Sequence, residues 1–161
     1  MNKSTRRQRG FSIVEVLVAL VVISVGMLGI AGLYLSSLQA SRTAKLRAQA
    51  VMLVGSIADR IRANRDAAVA YDTDTYGGAP KTQDCDTKTC TAAALSQDDL
   101  ARWIEDIKAA LPGGAAVTGK VKVTDRVRPN PDNYVITVTW HEANTDDNFT
   151  YSLSMNLANR L

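Results

Sequence analysis

Gly10-Phe11-Ser12-Ile13-Val14-Glu15, followed without interruption by the apolar residues 16–35, is the stretch on which the reading of this chain turns. Residues 16–35 contain no charged side chain and no proline. As a helix rising ~1.5 Å per residue they span about 30 Å, the thickness of the hydrocarbon layer of a bilayer. Lys3, Arg6, Arg7 and Arg9 precede them and predict a cytoplasmic N-terminus, with the rest of the chain on the far side. Glu15 is the unusual residue. A carboxylate carried toward the membrane centre costs on the order of a few kcal/mol, so one at the edge of an apolar helix calls for a partner or a function.

Two ordinary readings of this segment are a secretory signal, with Gly29-Ile30-Ala31 as a small-x-small cleavage site, and a plain membrane anchor. Both leave Glu15 without a purpose, and the apolar region of a secretory signal runs only ~7 to 15 residues. A basic leader, then Gly10, then Glu15 fifth after the glycine, resembles the type IV prepilins and the type II secretion pseudopilins. The resemblance implies a leader of residues 1–10, cleavage between Gly10 and Phe11 by a prepilin peptidase, and N-methylation of Phe11. It also implies that Glu15 draws an incoming subunit into register through a neighbour's N-terminal amine. Such a pair is strong in low dielectric, and desolvation reduces its net value.

Charge tells the same story. The formal net charge is +3 and the sequence pI about 9.0, values that invite a nucleic-acid reading. Removing residues 1–10 leaves 15 basic against 16 acidic residues, so the basic excess belongs to the leader. Asp59, Arg60, Arg62 and Arg65 are spaced to pair along a helix or with neighbouring subunits. A DNA-binding patch built on them lacks interleaved exposed aromatics, and nucleic acid is a poor partner for the mature chain.

Beyond the membrane segment, Leu46, Ala50, Leu53, Ile57 and Ile61 recur at three- and four-residue steps. They predict one continuous helix over residues 11–67 whose second half lays an apolar stripe on a sheet. Gly26, Gly29 and Gly32 each cost ~1 kcal/mol of helix propensity, which close helix packing or local unwinding would explain. Residues 68–94 read as a polar loop. Cys85 and Cys90 sit near its end, and a disulfide between them persists only in an oxidising compartment. Export favours the bridge; two free thiols are the alternative. Ser96 with Asp99 predicts the cap of a short helix over 97–111, ended by Pro112-Gly113-Gly114.

The last third alternates with period two. Val121 and Val123, then Tyr134, Ile136, Val138 and Trp140, then Phe149, Tyr151, Leu153, Met155 and Leu157 predict three antiparallel strands with one apolar face. Turns fit at 128–133, with Pro129 and Pro131, and at 144–147. The fold class is α+β: a long N-terminal helix packed on a three- to four-stranded antiparallel sheet, with residues 11–35 for membrane and assembly and 36–161 as a periplasmic globular domain.

That layout matches the pilin fold. Ala58-Asp59-Arg60-Ile61-Arg62-Ala63-Asn64-Arg65, the mid-chain cysteine pair, Leu111-Pro112-Gly113-Gly114 and Tyr134-Val135-Ile136-Thr137-Val138-Thr139-Trp140 resemble the type IV pilus modification proteins, the PilV-like minor pilins. Major pilins generally carry a disulfide loop near the C-terminus, whereas no cysteine follows Cys90 here. The resemblance implies a minor pilin of filaments that serve adhesion and motility. Its implied partners are other minor pilins, the major pilin, the prepilin peptidase, a tip adhesin and, before assembly, the inner membrane. A type II secretion pseudopilin and a filament-displayed DNA- or surface-binding module are the alternatives.

The sequence offers no catalytic constellation. His141 is the single histidine, at the end of a predicted strand, and neither a nucleophile with its base nor a set of metal ligands accompanies it. Asp84, Asp86, Asp98 and Asp99 lack the spacing and glycine of an EF-hand. Asn148-Phe149-Thr150 matches a glycosylation acceptor yet opens a predicted strand. No cofactor is implied, and an enzyme is the least supported class.

Overall fold

The computed structural model describes residues 10–74, 81–124, 131–142 and 147–158. The basic leader residues Lys3 to Arg9, Pro80, Pro129 and the residues 144–146 of the second turn lie outside these. The chain divides into two compact units, residues 1–42 and 43–161.

Helix α1 runs Ile13–Ala63 and belongs to both units. Ser12 opens it, its carbonyl accepting from the backbone N–H groups of Glu15 at 3.1 Å and Val16 at 3.3 Å. In the first unit every large apolar side chain of the helix is exposed. In the second, Leu46, Ala50, Val54, Ile57, Ala58 and Ile61 are buried. The expected stripe is present, with Val54 rather than Leu53 at its centre, because an α-helical stripe drifts around the axis over several turns. Leu53 is half-buried, and its carbonyl accepts the indole N–H of Trp103 at 2.8 Å.

The helix was expected to reach residue 67; it stops at Ala63. Asn64 leaves helical geometry at φ −108° and ψ 55°, and a 3-10 segment, Arg65–Tyr71, follows with Ala68 at φ 41°. Long-range bonds set this break. The Asn64 amide donates to the Ala92 carbonyl at 2.9 Å and to the Tyr71 hydroxyl at 3.2 Å, turning the chain so that Ala67 and Tyr71 enter the core.

Helix α2 spans Ala92–Ala110, so it begins five residues before the expected start at 97. Its N-cap is Thr91, whose hydroxyl accepts from the Ala94 N–H at 3.2 Å. Ser96 is not the cap. It is buried inside the helix and donates to the carbonyls of Ala93 and Ala70, fastening α2 to the 3-10 segment.

Strands β1 (Thr118–Thr124), β2 (Asp132–His141) and β3 (Asn148–Leu157) form an antiparallel sheet in the order β1-β2-β3. Asp132 and Asn133, expected in a turn, already belong to β2. The register sets Val121 opposite Ile136, Val123 opposite Tyr134, Ile136 opposite Leu153 and Trp140 opposite Phe149. Facing residues share a side of the sheet, so this pairing gathers the apolar set on one face. The other face carries polar pairs such as Thr137 with Ser152 at 3.0 Å and Asn133 with Asn156 at 2.9 Å.

The buried stripe of α1 residues 43–63 packs with α2 and the apolar sheet face around Trp103, Trp140, Tyr71 and Tyr134. Gly119 lets α2 approach the sheet: a Cβ there would lie 2.6 Å from Ile107 Cδ1 and 2.8 Å from Trp103 Cζ3. The observed architecture is a long N-terminal helix on a three-stranded antiparallel sheet, a pilin-like α+β fold.

Candidate assembly interface

The N-terminal residues singled out from the sequence stand at the start of α1. Phe11 is 82% exposed, and Gly10 and Glu15 are exposed as well. The Glu15 carboxylate makes no hydrogen bond or ion pair among the described residues, and it lies in the first turn, where the positive end of the helix dipole favours a carboxylate.

From Val16 to Leu35 the helix presents apolar side chains on every side. Its most apolar window has a mean hydropathy of 2.7 and no buried residue, which by length and composition is enough to cross a membrane. A helix that is apolar all round has its complement in lipid or in other helices rather than in water. Within residues 16–35 the Ser24 hydroxyl donates to the Leu20 carbonyl at 2.7 Å and so adds no unsatisfied donor. A Cβ built at Gly26, Gly29 or Gly32 meets nothing within 4 Å, so no neighbour within the chain among the described residues requires glycine there.

In the second unit, the polar side chains noted in the sequence hold the globular part together. Cys85 and Cys90 form a disulfide with Cα atoms 5.6 Å apart. Arg102 clamps this loop to α2, pairing with Asp86 on one side and with Asp98 at 2.9 Å on the other. Its guanidinium is held above the ordinary arginine range, chiefly by the Asp86 hydrogen bond. Asp98 also accepts from the Gln83 N–H at 2.8 Å. Asp99 points elsewhere, to Arg60 Nη1 at 3.1 Å and the Tyr71 hydroxyl at 2.6 Å. Burial, then the Asp99 hydrogen bond, raises the Tyr71 phenol well above its usual value.

These bonds assign structural roles to residues that looked like candidate ligands. Asp98 and Asp99 face different partners, and among the described residues no group of three His, Cys, Asp or Glu side chains is placed to hold a metal. His141 closes β2, its backbone N–H donating to the Pro112 carbonyl at 3.3 Å. Gly113 at φ 125° forms the turn that brings Pro112 there, a conformation that favours glycine. On α1, Arg62 pairs with Asp59 at 2.6 Å, whereas Arg60 reaches across to α2.

Sequence reasoning missed the roles of Asn64, Thr91 and Trp103. Trp103 gave a signal: on a helix over 97–111 it shares one face with Leu100, Ile104 and Ile107.

Comparison with known proteins fits this arrangement. Residues 5–31 match the prokaryotic N-terminal methylation motif, and residues 32–101 match the family model described as Type IV pilin Tt1218. No curated protein and no solved structure matches the chain. The matched motif implies processing by a prepilin peptidase and pilus assembly with other pilins, and with the apolar helix it is consistent with passage from the inner membrane to a pilus.

Proposed function

We propose that this chain, which belongs to the type IV pilin family and is a structural subunit rather than an enzyme, is a minor pilin that primes pilus assembly. In this reading residues 1–10 are the leader, 11–35 the membrane and assembly segment, and 36–161 the periplasmic domain. The prepilin peptidase cuts between Gly10 and Phe11 and methylates Phe11. The subunit is stored in the inner membrane and then joins other minor pilins, at the filament tip.

The observation that carries the reading is the first half of α1, apolar on all sides, with Glu15 exposed in its first turn and unpaired among the described residues. Cleavage creates a charged amine on Phe11 one helical turn from Glu15. The Glu15 of one subunit and the Phe11 amine of another then supply a pair that is strong only where water is excluded. This fixes the axial register of two helices whose remaining contacts are nondirectional. Placement of the Cys85–Cys90 loop ahead of α2 and the sheet supports a minor, PilV-like role over that of the bulk subunit.

The test is Glu15→Ala in the full chain. The variant is expected to be inserted and cleaved normally and to enter sheared filaments poorly; wild-type incorporation would count against the proposal. Deleting the chain should reduce surface pili while leaving major pilin synthesis intact. A secretion defect with normal piliation would instead identify a type II secretion pseudopilin.

A further inference from the structure

The two edges of the sheet are finished differently. Along β1, the segment after the 3-10 turn covers the edge: Thr73 N–H donates to the Val121 carbonyl at 2.9 Å, and Val123 N–H donates to Asp72 Oδ2 at 2.9 Å. Lys122 adds ion pairs to Asp74 at 3.0 Å and Asp72 at 3.5 Å. Along the outer side of β3, nothing among the described residues bonds the edge. β3 is ten residues long and contains no charge, proline or glycine. Natural proteins shield free edges with such residues, because a bare edge templates another strand.

The apolar side chains of β3 are also incompletely covered. The residues facing them on β2 are buried, whereas Phe149, Tyr151, Leu153 and Leu157 are only half-buried. One more strand beside β3 would cover this apolar row and pair its outward backbone groups at once.

A second copy of this chain is a poor occupant. Head-to-tail pairing needs the β1 edge of the next copy, which Asp72 and Thr73 already fill. Antiparallel pairing of β3 with itself places a two-fold axis normal to the sheet. The Thr43 hydroxyl donates to Glu142 Oε2 at 2.7 Å, just past the end of β2, so that axis sets the Thr43 ends of the two copies at opposite ends of the joined sheet, although on the assembly reading both chains enter one membrane from those ends. The chemistry of the edge selects the partner: a strand without charges, alternating apolar with small polar residues, so that no ion is desolvated against Tyr151 to Leu157, whereas at Phe149 the Arg47 guanidinium already lies 5.6 Å from the ring centroid.

We propose that the outer edge of β3 docks an extended, uncharged strand from a different pilin-type subunit, which becomes the fourth strand of the sheet. This rests on the pilin assembly reading and names the surface through which the globular part recognises its partner.

The test uses the full chain in its native host, with a photoreactive phenylalanine analogue at Ser152 on the outward face of β3. The expected product is an adduct with a different protein that carries the N-terminal methylation motif, mapped to an uncharged alternating segment of that partner. Ser154→Lys places a charge on the edge, and Asn133 keeps its bond to Asn156 when Ser154 is lost. It should reduce the adduct roughly tenfold without changing the amount of chain in the membrane. Adducts only with a second copy, adducts only with proteins lacking the motif, or an adduct unchanged by Ser154→Lys would overturn the proposal. Filament incorporation is scored in the same cells. Incorporation without an adduct defeats the edge assignment alone, whereas absence from filaments defeats the assembly reading.

Discussion

Residues 13–42 and residues 43–63 belong to one helix, yet they complete their hydrophobic surfaces in opposite ways. In the first stretch Leu28 is 73% exposed and Leu33 74% exposed; in the second, Ala50, Val54, Ile57 and Ile61 are fully buried. The second stretch has one apolar face because its complement is a sheet and a helix of its own chain. The first is apolar all round over residues 16–35 because its complement must come from outside the chain, as lipid or as neighbouring helices. Hydrophobicity therefore marks two different things here, a core and an interface, and periodicity distinguishes them.

The sharpest way to break this contrast is to truncate a large side chain in each stretch's surroundings. Trp103→Ala removes a buried indole and its bond to Leu53, and should cost about 3–5 kcal/mol in urea unfolding of the detergent-solubilised chain. Leu28→Ala should leave that transition where it is, because Leu28 contributes nothing to the globular core. If both substitutions shifted the midpoint alike, the division between core and interface would be wrong.

A second substitution sharpens the contrast within the globular part. Opening the six-residue loop by Cys85→Ser with Cys90→Ser should lower stability by about 2 kcal/mol on the chain-entropy account. Reducing agent should bring the wild-type chain to the same midpoint. Membrane insertion, which belongs to the first stretch, should not change.

The smallest effect is a pH dependence. Tyr71 is held protonated in the folded state, so its contribution is fully present below the usual tyrosine value of 10.0. Above that pH the unfolded chain ionises first, and stability declines as pH climbs toward the raised native value. Tyr71→Phe should lose about 1 kcal/mol at neutral pH, through the hydrogen bond to Asp99, and should show a shallower decline above pH ~10. Equal slopes for the two proteins would exclude a shifted Tyr71.

What could be read from the sequence follows from the range of the forces involved. Leu46, Ala50, Ile57 and Ile61 announce themselves because the helical repeat is local, and the strands do so by strict alternation. Gly10 to Glu15 is legible as a motif because its chemistry is carried by neighbours in the chain. The end of α1 at Ala63 is not legible, since Asn64 turns the chain through bonds to Ala92 and Tyr71 that only the folded state brings near. Thr91 and Ser96 are equally good caps by residue type. Burial of Ser96 against Ala70 decides between them, and that contact is tertiary. The role of Gly119 is hidden for the same reason, as Trp103 and Ile107 reach it from another element.

All of this rests on the first stretch being completed by partners after processing, and the N-terminus of the assembled protein tests that most directly. Mass spectrometry of the chain recovered from sheared filaments should find it beginning at an N-methylated Phe11, with Glu15 and the whole apolar run retained. A chain beginning at Gly32, or one still carrying Met1, would contradict it.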